Sequence, residues 1–327
     1  MTAQKDLKKR IRNRQAKTGE SYSTARSHIV RARGQSQRVE RITAVVLKCN
    51  ESSIRIRVPG DSETITLRTS HSDAWRIAPG QLVEIEPSKR WQWQDDAYMS
   101  GEIKRAWTDI SAIGITPLPL TDQGICTLAE VSEPFTKPDP YAEMWEFLST
   151  VPRREFEFDP IAWGAGVGVD PEDDDAHLIA DAAELSVHHP DGARHLHMQA
   201  LAADIRCIDA HVHLGNLRFD KRPEAALVHY DIAVTIGDLS LGPDFNGLLR
   251  WGYIYNRPFL RALHGYGLCL WRLNNTDAAL KVFERMLSLN PNDNQGVRSC
   301  WDDIRNGRDW RSDAHTDYFE DSVAPMN

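Results

Sequence analysis

Apolar and polar residues change rhythm three times along the chain. Over residues 4–33 the period is helical. QKDLKKRIRNRQAKT runs up to Gly19, a residue suited to the position just past a helix, and STARSHIVRAR follows. Ser21 or Ser23 can cap that second helix. From 41 to 115 the runs shorten and fill with Val, Ile and Thr. RITAVVLKC, SSIRIRVPG, ETITLRTS, GQLVEIEPS and YMSGEIKRA predict five strands, and Ile54-Arg55-Ile56-Arg57-Val58 alternates with period two. Asn50-Glu51-Ser52, Pro59-Gly60-Asp61 and Pro79-Gly80 mark turns between them. Five strands at this spacing predict a small barrel, SH3-like or OB-like. Residues 116–175 lose the rhythm. Pro117, Pro119, Pro134, Pro138 and Pro140 interrupt them, and an acidic run stands at 170–175. This stretch predicts a linker with one short helix at MWEFL, residues 144–148. From 176 to 310 the period is helical again.

The expected architecture is therefore a multidomain α+β chain. A basic helix-turn-helix-like segment covers 1–36, a small β-barrel 37–115 and a Pro/Gly/acid-rich linker 116–175. Helical repeats cover 176–310, and a disordered tail closes the chain at 311–327.

One helical stretch, RALHGYGLCLWRLNNTDAALKVFERMLSLNPND (261–293), resembles a tetratricopeptide repeat, a two-helix unit of about 34 residues. Gly267 matches the small residue of the first helix. Ala279 matches the small residue of the second, Phe283 follows one turn later, and Pro291 closes the unit. Leu263, Tyr266 and Met286 depart from the usual residues at their sites. The resemblance widens with Pro79–Trp91, Ser100–Ile103, Asn256–Arg261, His264–Leu273 and Asn290–Arg298. Their order across residues 40–310 is similar to a group of bacterial cytosolic tetratricopeptide-repeat proteins. In the first of these segments Trp91 follows Arg90 directly, a small departure. The resemblance implies a C-terminal α-solenoid of helix pairs and implies no activity. KTGESYSTAR (17–26) resembles a short module of varied bacterial proteins.

The repeat frame decides how to read IDAHVHLG, residues 208–215. On a strand, D-x-H-x-H sets its two histidines on one face, as a metal-dependent amidohydrolase needs. In the repeat frame Gly215 takes the position of Gly267, so the motif falls on a helix, with RPEAALVHYDIAVTIGD as the next helix and Tyr230 and Ala233 facing inward. Residues two apart on a helix point about 200° from each other. His211 and His213 then cannot share one metal. A TIM barrel also needs about 250 residues, and only 112 follow Gly215. Gly164-Ala-Gly-Val-Gly168 lacks the dinucleotide-loop spacing and has no strand–helix context. The expectation is a non-enzyme with no cofactor and no metal.

In such solenoids the first helix of each pair lines a concave groove. That frame places Val212, Asn216, Asp220, Arg261, His264, Leu268 and Arg272 on the groove, and the helix after Pro291 adds Gln295, Arg298 and Asp302. Residues 237–258 are too irregular for a simple inter-helix turn and bring Trp251, Tyr253 and Tyr255 to the same side. The arginines could clamp a carboxylate-rich peptide; the alternative is salt bridging within the repeats.

Composition adds compartment and charge. The chain has 327 residues, with 41% hydrophobic and 26% charged. It has no apolar run of membrane-spanning length and no apolar leader, and its five scattered cysteines form no C-x-x-C pair. A cytoplasmic location is expected. The net charge of −8 is unevenly spread. Residues 1–41 hold twelve Lys/Arg against three acids, so this piece is +9 and the remainder −17. The basic residues include Lys8, Lys9, Arg10, Arg12, Arg14, Lys17, Arg26 and Arg31.

Two functions follow. The first is a non-catalytic adaptor or scaffold binding a protein or peptide in the repeat groove. The alternative is a nucleic-acid-associated protein whose basic segment and barrel bind RNA or DNA while the repeats recruit a partner. Trp75, Trp91, Trp93 and Tyr98 could then stack on bases, or else cap an undersized core.

Overall fold

The computed structural model describes residues 3–26, 40–50, 52–70, 76–126, 152–169 and 177–310. They fall into two compact units that divide after Ile42. The N-terminal unit carries α1 (Ala3–Thr18) and a second helical stretch at 22–26. Gly19 takes φ +69° and its N–H bonds Gln15 O at 2.9 Å, so it ends α1 as the sequence expects. Ser21 Oγ accepts from Thr24 N (3.2 Å) and caps the second helix. Ile11 and Ala25 are both buried. Residues 27–39, with Arg31, and the tail 311–327 lie outside the described residues.

The second unit begins with five strands: β1 (Ile42–Cys49), β2 (Ser53–Arg57), β3 (Thr64–Arg68), β4 (Gln81–Trp93) and β5 (Asp96–Thr108). They close a barrel in the order β1-β2-β3-β5-β4. β2 runs antiparallel to both β1 and β3, β3 runs parallel to β5, and β4 and β5 form one long antiparallel hairpin. The period-two pattern sets the faces. Ile54, Ile56, Leu67, Ile85 and Met99 fill the interior, while the intervening polar residues face out. A short helix α2 (Ile110–Ile113) follows, capped by Asp109 and closed by Gly114 at φ +71°.

The region expected as a linker is, where described, part of the fold. β6 (Leu120–Cys126) pairs antiparallel with β7 (Arg153–Phe158), and β7 bridges in parallel to Leu248 through Phe156 N–Leu248 O (2.9 Å) and Leu248 N–Arg154 O (2.8 Å). Leu118, Phe158 and Ala162 enter the main core. Phe158 N also donates to Asn256 Oδ1 at 3.1 Å, a partner 98 residues away. Such pairing leaves no local signature, and the prolines around it hide the strands. Trp75, MWEFL and the acidic run at 170–175 lie outside the described residues.

Among the described residues seven further α-helices complete the unit: α3 (Leu178–Leu185), α4 (Pro190–Ala203), α5 (Ile208–Phe219), α6 (Pro223–Leu241), α7 (Arg257–Arg272), α8 (Thr276–Leu289) and α9 (Val297–Arg305). Each packs on the next or the one before, and α5 also packs on α7. IDAHVHLG is helical, as the repeat frame requires. Glycines set the spacing. The Tyr230 ring lies so close to Gly215 of α5 and Gly265 of α7 that added methyls would stand 2.7 and 2.4 Å from it. Phe283 meets Gly267 in the same way (2.4 Å), and Phe259 meets Gly237 (2.2 Å). A missing Cβ at each point lets an aromatic ring fill the gap between helices.

Candidate functional site

The expected groove residues are held mainly by the protein itself. Arg261 Nη2 donates to both carboxylate oxygens of Asp209 at 2.9 Å, and Asp209 is buried at the start of α5. Arg272 caps the end of α5, donating to Phe219 O (2.8 Å) and Asp220 O (2.7 Å). Arg298 pairs with Asp293 (3.3 Å) and donates to Pro291 O. Asn216 Oδ1 accepts from Tyr230 Oη at 2.5 Å. Gln295 Nε2 donates to His264 Nδ1 at 3.4 Å, and His264 is buried. Leu268 and Val212 are core residues. Trp251 lies half-buried under the Arg257 guanidinium (5.4 Å), and Tyr253 donates to Glu155 (2.8 Å). The three arginines thus each donate to groups of the fold itself. The glycine contacts bring α5 and α7 close enough for one helix's side chains to reach the other's backbone.

The same closeness buries imidazoles. His197 stacks on His213 with centroids 5.0 Å apart and planes 6° apart. His211 turns instead towards His229 (6.0 Å) and bonds Ile205 O through Nε2 at 3.2 Å. The two histidines of the D-x-H-x-H motif therefore face different neighbours. Among the described residues no group of three or more His, Cys, Asp or Glu is arranged to hold a metal. Burial pushes His197 and His213 down to about 3 and His211 and His264 to about 4. Burial also holds His229 well below the usual histidine range, with the Arg218 charge adding to it. Burial raises Asp209, against the pull of Arg261. These rings are neutral at physiological pH. The five cysteines are buried free thiols.

An open cleft of about 990 Å³ lies where the C-terminal ends of α6 and α8 meet the loop at 242–247. Leu239, Leu241, Pro243, Phe245 and Leu289 form its apolar wall. At its rim Arg285 pairs with Asp238, with Nη1–Oδ2 at 3.1 Å. Arg153, from β7, supports the loop by donating to Asn246 O (2.7 Å), Ser288 O (2.6 Å) and Gly247 O (2.7 Å). Sequence reasoning missed this site. Only the irregular stretch after α6 signalled it, since the cleft's lining runs from Pro152 to Leu289, 137 residues apart.

In the N-terminal unit Lys8, Lys9, Arg12, Lys17 and Arg26 are exposed, and Arg14 pairs with Glu20 at 3.1 Å. The side chain of Arg10 lies outside the described residues. On the barrel, the rings of Trp91 and Tyr98 stack outside the core, 5.6 Å apart. Among the described residues no helix is long and apolar enough to cross a membrane. No protein-family model, no curated protein and no solved structure matches the chain.

Proposed function

We propose that the chain is a non-catalytic adaptor. Its helical part is an α-solenoid of tetratricopeptide-type pairs, and a protein or peptide partner docks on it. Support for the repeat reading comes from the successive packing of α5 to α9 and from aromatic rings seated on Gly215 and Gly267, the two positions the repeat frame equates. The barrel order, with parallel β3 and β5, favours the OB-like alternative over the SH3-like one. Five buried thiols without a disulfide suit a reducing cytosol.

The single observation that carries the adaptor reading is the cleft beside the irregular loop. It is near the upper end of ligand-pocket volumes, roughly 300–1,000 Å³. Its mix of apolar wall and rim ion pair suits a peptide that inserts an apolar side chain and bonds through its backbone. The concave wall is less suited, because its polar side chains are engaged.

The test is selection of peptides from a random library on the full chain, followed by titration. Selected peptides are expected to bind in the micromolar range. Leu241→Asp and Phe245→Ala should weaken them at least tenfold, and Asn216→Ala on the α5 wall should not. Failure to select any peptide, or affinities indifferent to both cleft changes, would overturn the reading.

A further inference from the structure

We propose that the outer face of the barrel, across β2, β3, β5 and β4, is a binding site for single-stranded nucleic acid. This goes beyond the adaptor reading and names a face that neither composition nor spacing could locate.

Register places the side chains. Arg55 stands opposite Thr66, Thr66 opposite Tyr98, and Tyr98 opposite Trp91. Directly opposed residues share a face. Arg55, Thr66, Tyr98 and Trp91 therefore form one row across four neighbouring strands. The next row is Ser53, Arg68, Ser100 and Lys89, by the same pairings. Both rows lie outside, because the residues between them, including Ile54, Leu67 and Met99, fill the interior.

The chemistry of the rows divides across the sheet. Tyr98 and Trp91 stack nearly parallel, 11° apart, and stay half-buried on the surface. Lys89 Nζ sits 5.6 Å from the Trp91 ring and the Arg68 guanidinium 5.9 Å from the Tyr98 ring. Arg55 and Arg57 continue the cations on β2. Asp96 stands 3.6 Å from Arg55, with both side chains about half exposed, and Glu102, next along β5 on the same face as Ser100, is paired with Lys104. Trp93, 62% exposed, marks the hairpin tip. This protein is acidic overall, so a cationic strip on one sheet face is not a by-product of composition.

Base faces take aromatic platforms whatever the base, and cations take the phosphates. A duplex hides its base faces in its own stack, so only a single strand can use both. Strands lie about 4.8 Å apart. Four of them span roughly 14 Å, room for two or three nucleotides, with phosphates towards β2–β3 and bases on β5–β4. A cross-strand aromatic pair can also serve only to stiffen a hairpin, so the test must separate binding from folding.

Fluorescence anisotropy of the full chain with labelled single-stranded RNA, single-stranded DNA and the duplex of one sequence makes the test. Single strands are expected to bind at least tenfold more tightly than duplex, and the RNA and DNA arms say which strand is preferred. Trp91→Ala should weaken single-strand binding about tenfold and Trp91→Phe should restore most of it. Arg68→Glu with Lys89→Glu, both on the solvent side, should abolish binding while the thermal midpoint stays put. The cleft change Leu241→Asp should leave binding unaltered. Equal affinity for duplex would overturn the proposal. So would binding that survives the Arg68/Lys89 reversal, or that is lost only when Lys8, Lys9, Arg12 and Lys17 are neutralised.

Discussion

Acidification from pH 7 to pH 5 is expected to remove at least half of the stability of the fold. His197, His211, His229 and His264 are neutral and enclosed in the native state, with folded pKa values far below 6.5. The unfolded chain protonates them near 6.5. Below that pH the unfolded state binds more protons, so stability falls as pH falls and keeps falling until the native rings themselves protonate, at about 3–4 for those with values. By pH 5 each ring contributes a loss of about 2 kcal/mol, or roughly 8 for the four, against a total stability of about 5–15 kcal/mol. His213, likewise pushed down to about 3 but with 19% of its side chain exposed, is left out of this sum. Asp209 works the other way. Its raised pKa lets the native state take up a proton earlier than the unfolded chain, which offsets part of the loss at the acid end.

Urea midpoints between pH 8 and pH 5 measure this directly. Proton uptake on unfolding should approach four near pH 5, and His229→Leu should reduce it by about one. A stability that is flat from pH 7 to pH 5 would show that the rings protonate in place.

Adding one methyl at Gly265 is expected to cost more than it gains. An exposed helix gains about 1 kcal/mol from Gly→Ala. Here the methyl would stand 2.4 Å from a ring carbon of Tyr230, which is fully buried between α5 and α7. Overpacking of that kind costs about 1–3 kcal/mol, and more where neighbours cannot shift. Tyr230 is pinned on both flanks, by Gly215 as well, and its hydroxyl is tied to Asn216. A net loss of about 2 kcal/mol is expected for Gly265→Ala. Tyr230→Ala should cost about 3–5 kcal/mol through the cavity it leaves. The Gly265→Ala/Tyr230→Leu double variant should recover much of the glycine penalty, a coupling that denaturant melts can resolve. If Gly265→Ala alone stabilises the protein, the helices are looser than described.

What the sequence shows of this fold depends on how far apart the partners lie. Gly19, the five strands and the helical setting of His211 and His213 follow from residues a few positions apart, and the structure has them. Gly215 and Gly267 were legible through the repeat spacing, but Gly265 and Gly237 were not, because nothing local says that a ring from another helix arrives there. The sequence of β6 and β7 predicts a linker. Their pairing and the bridge to Leu248 bring together chain segments that no window contains. Asn216, Arg261, His264, Leu268, Arg272 and Arg298 lie on helices, whereas Gln295, expected on the last helix, stands in the turn before α9. Their engagement was invisible, since Asp209 and Arg261 lie 52 residues apart. The aromatic strip on the barrel was half legible: the residue types were present, but only the register puts Trp91 beside Tyr98.

The turn before β4 bears on how the second unit comes apart. Gly80, at φ +95°, binds Val46 O in the barrel at 2.9 Å while its Cα faces Ile232 of α6 and Ile205 beyond α4. Ala78, two residues earlier, belongs to the helical core. The barrel is thus closed at a place where its wall is also the floor of the helices. Melting either part strips cover from the other, so the two lose structure in one cooperative step. A cut between barrel and helices would leave each fragment with an open seam and a tendency to aggregate, which limits how far this chain can be dissected into modules.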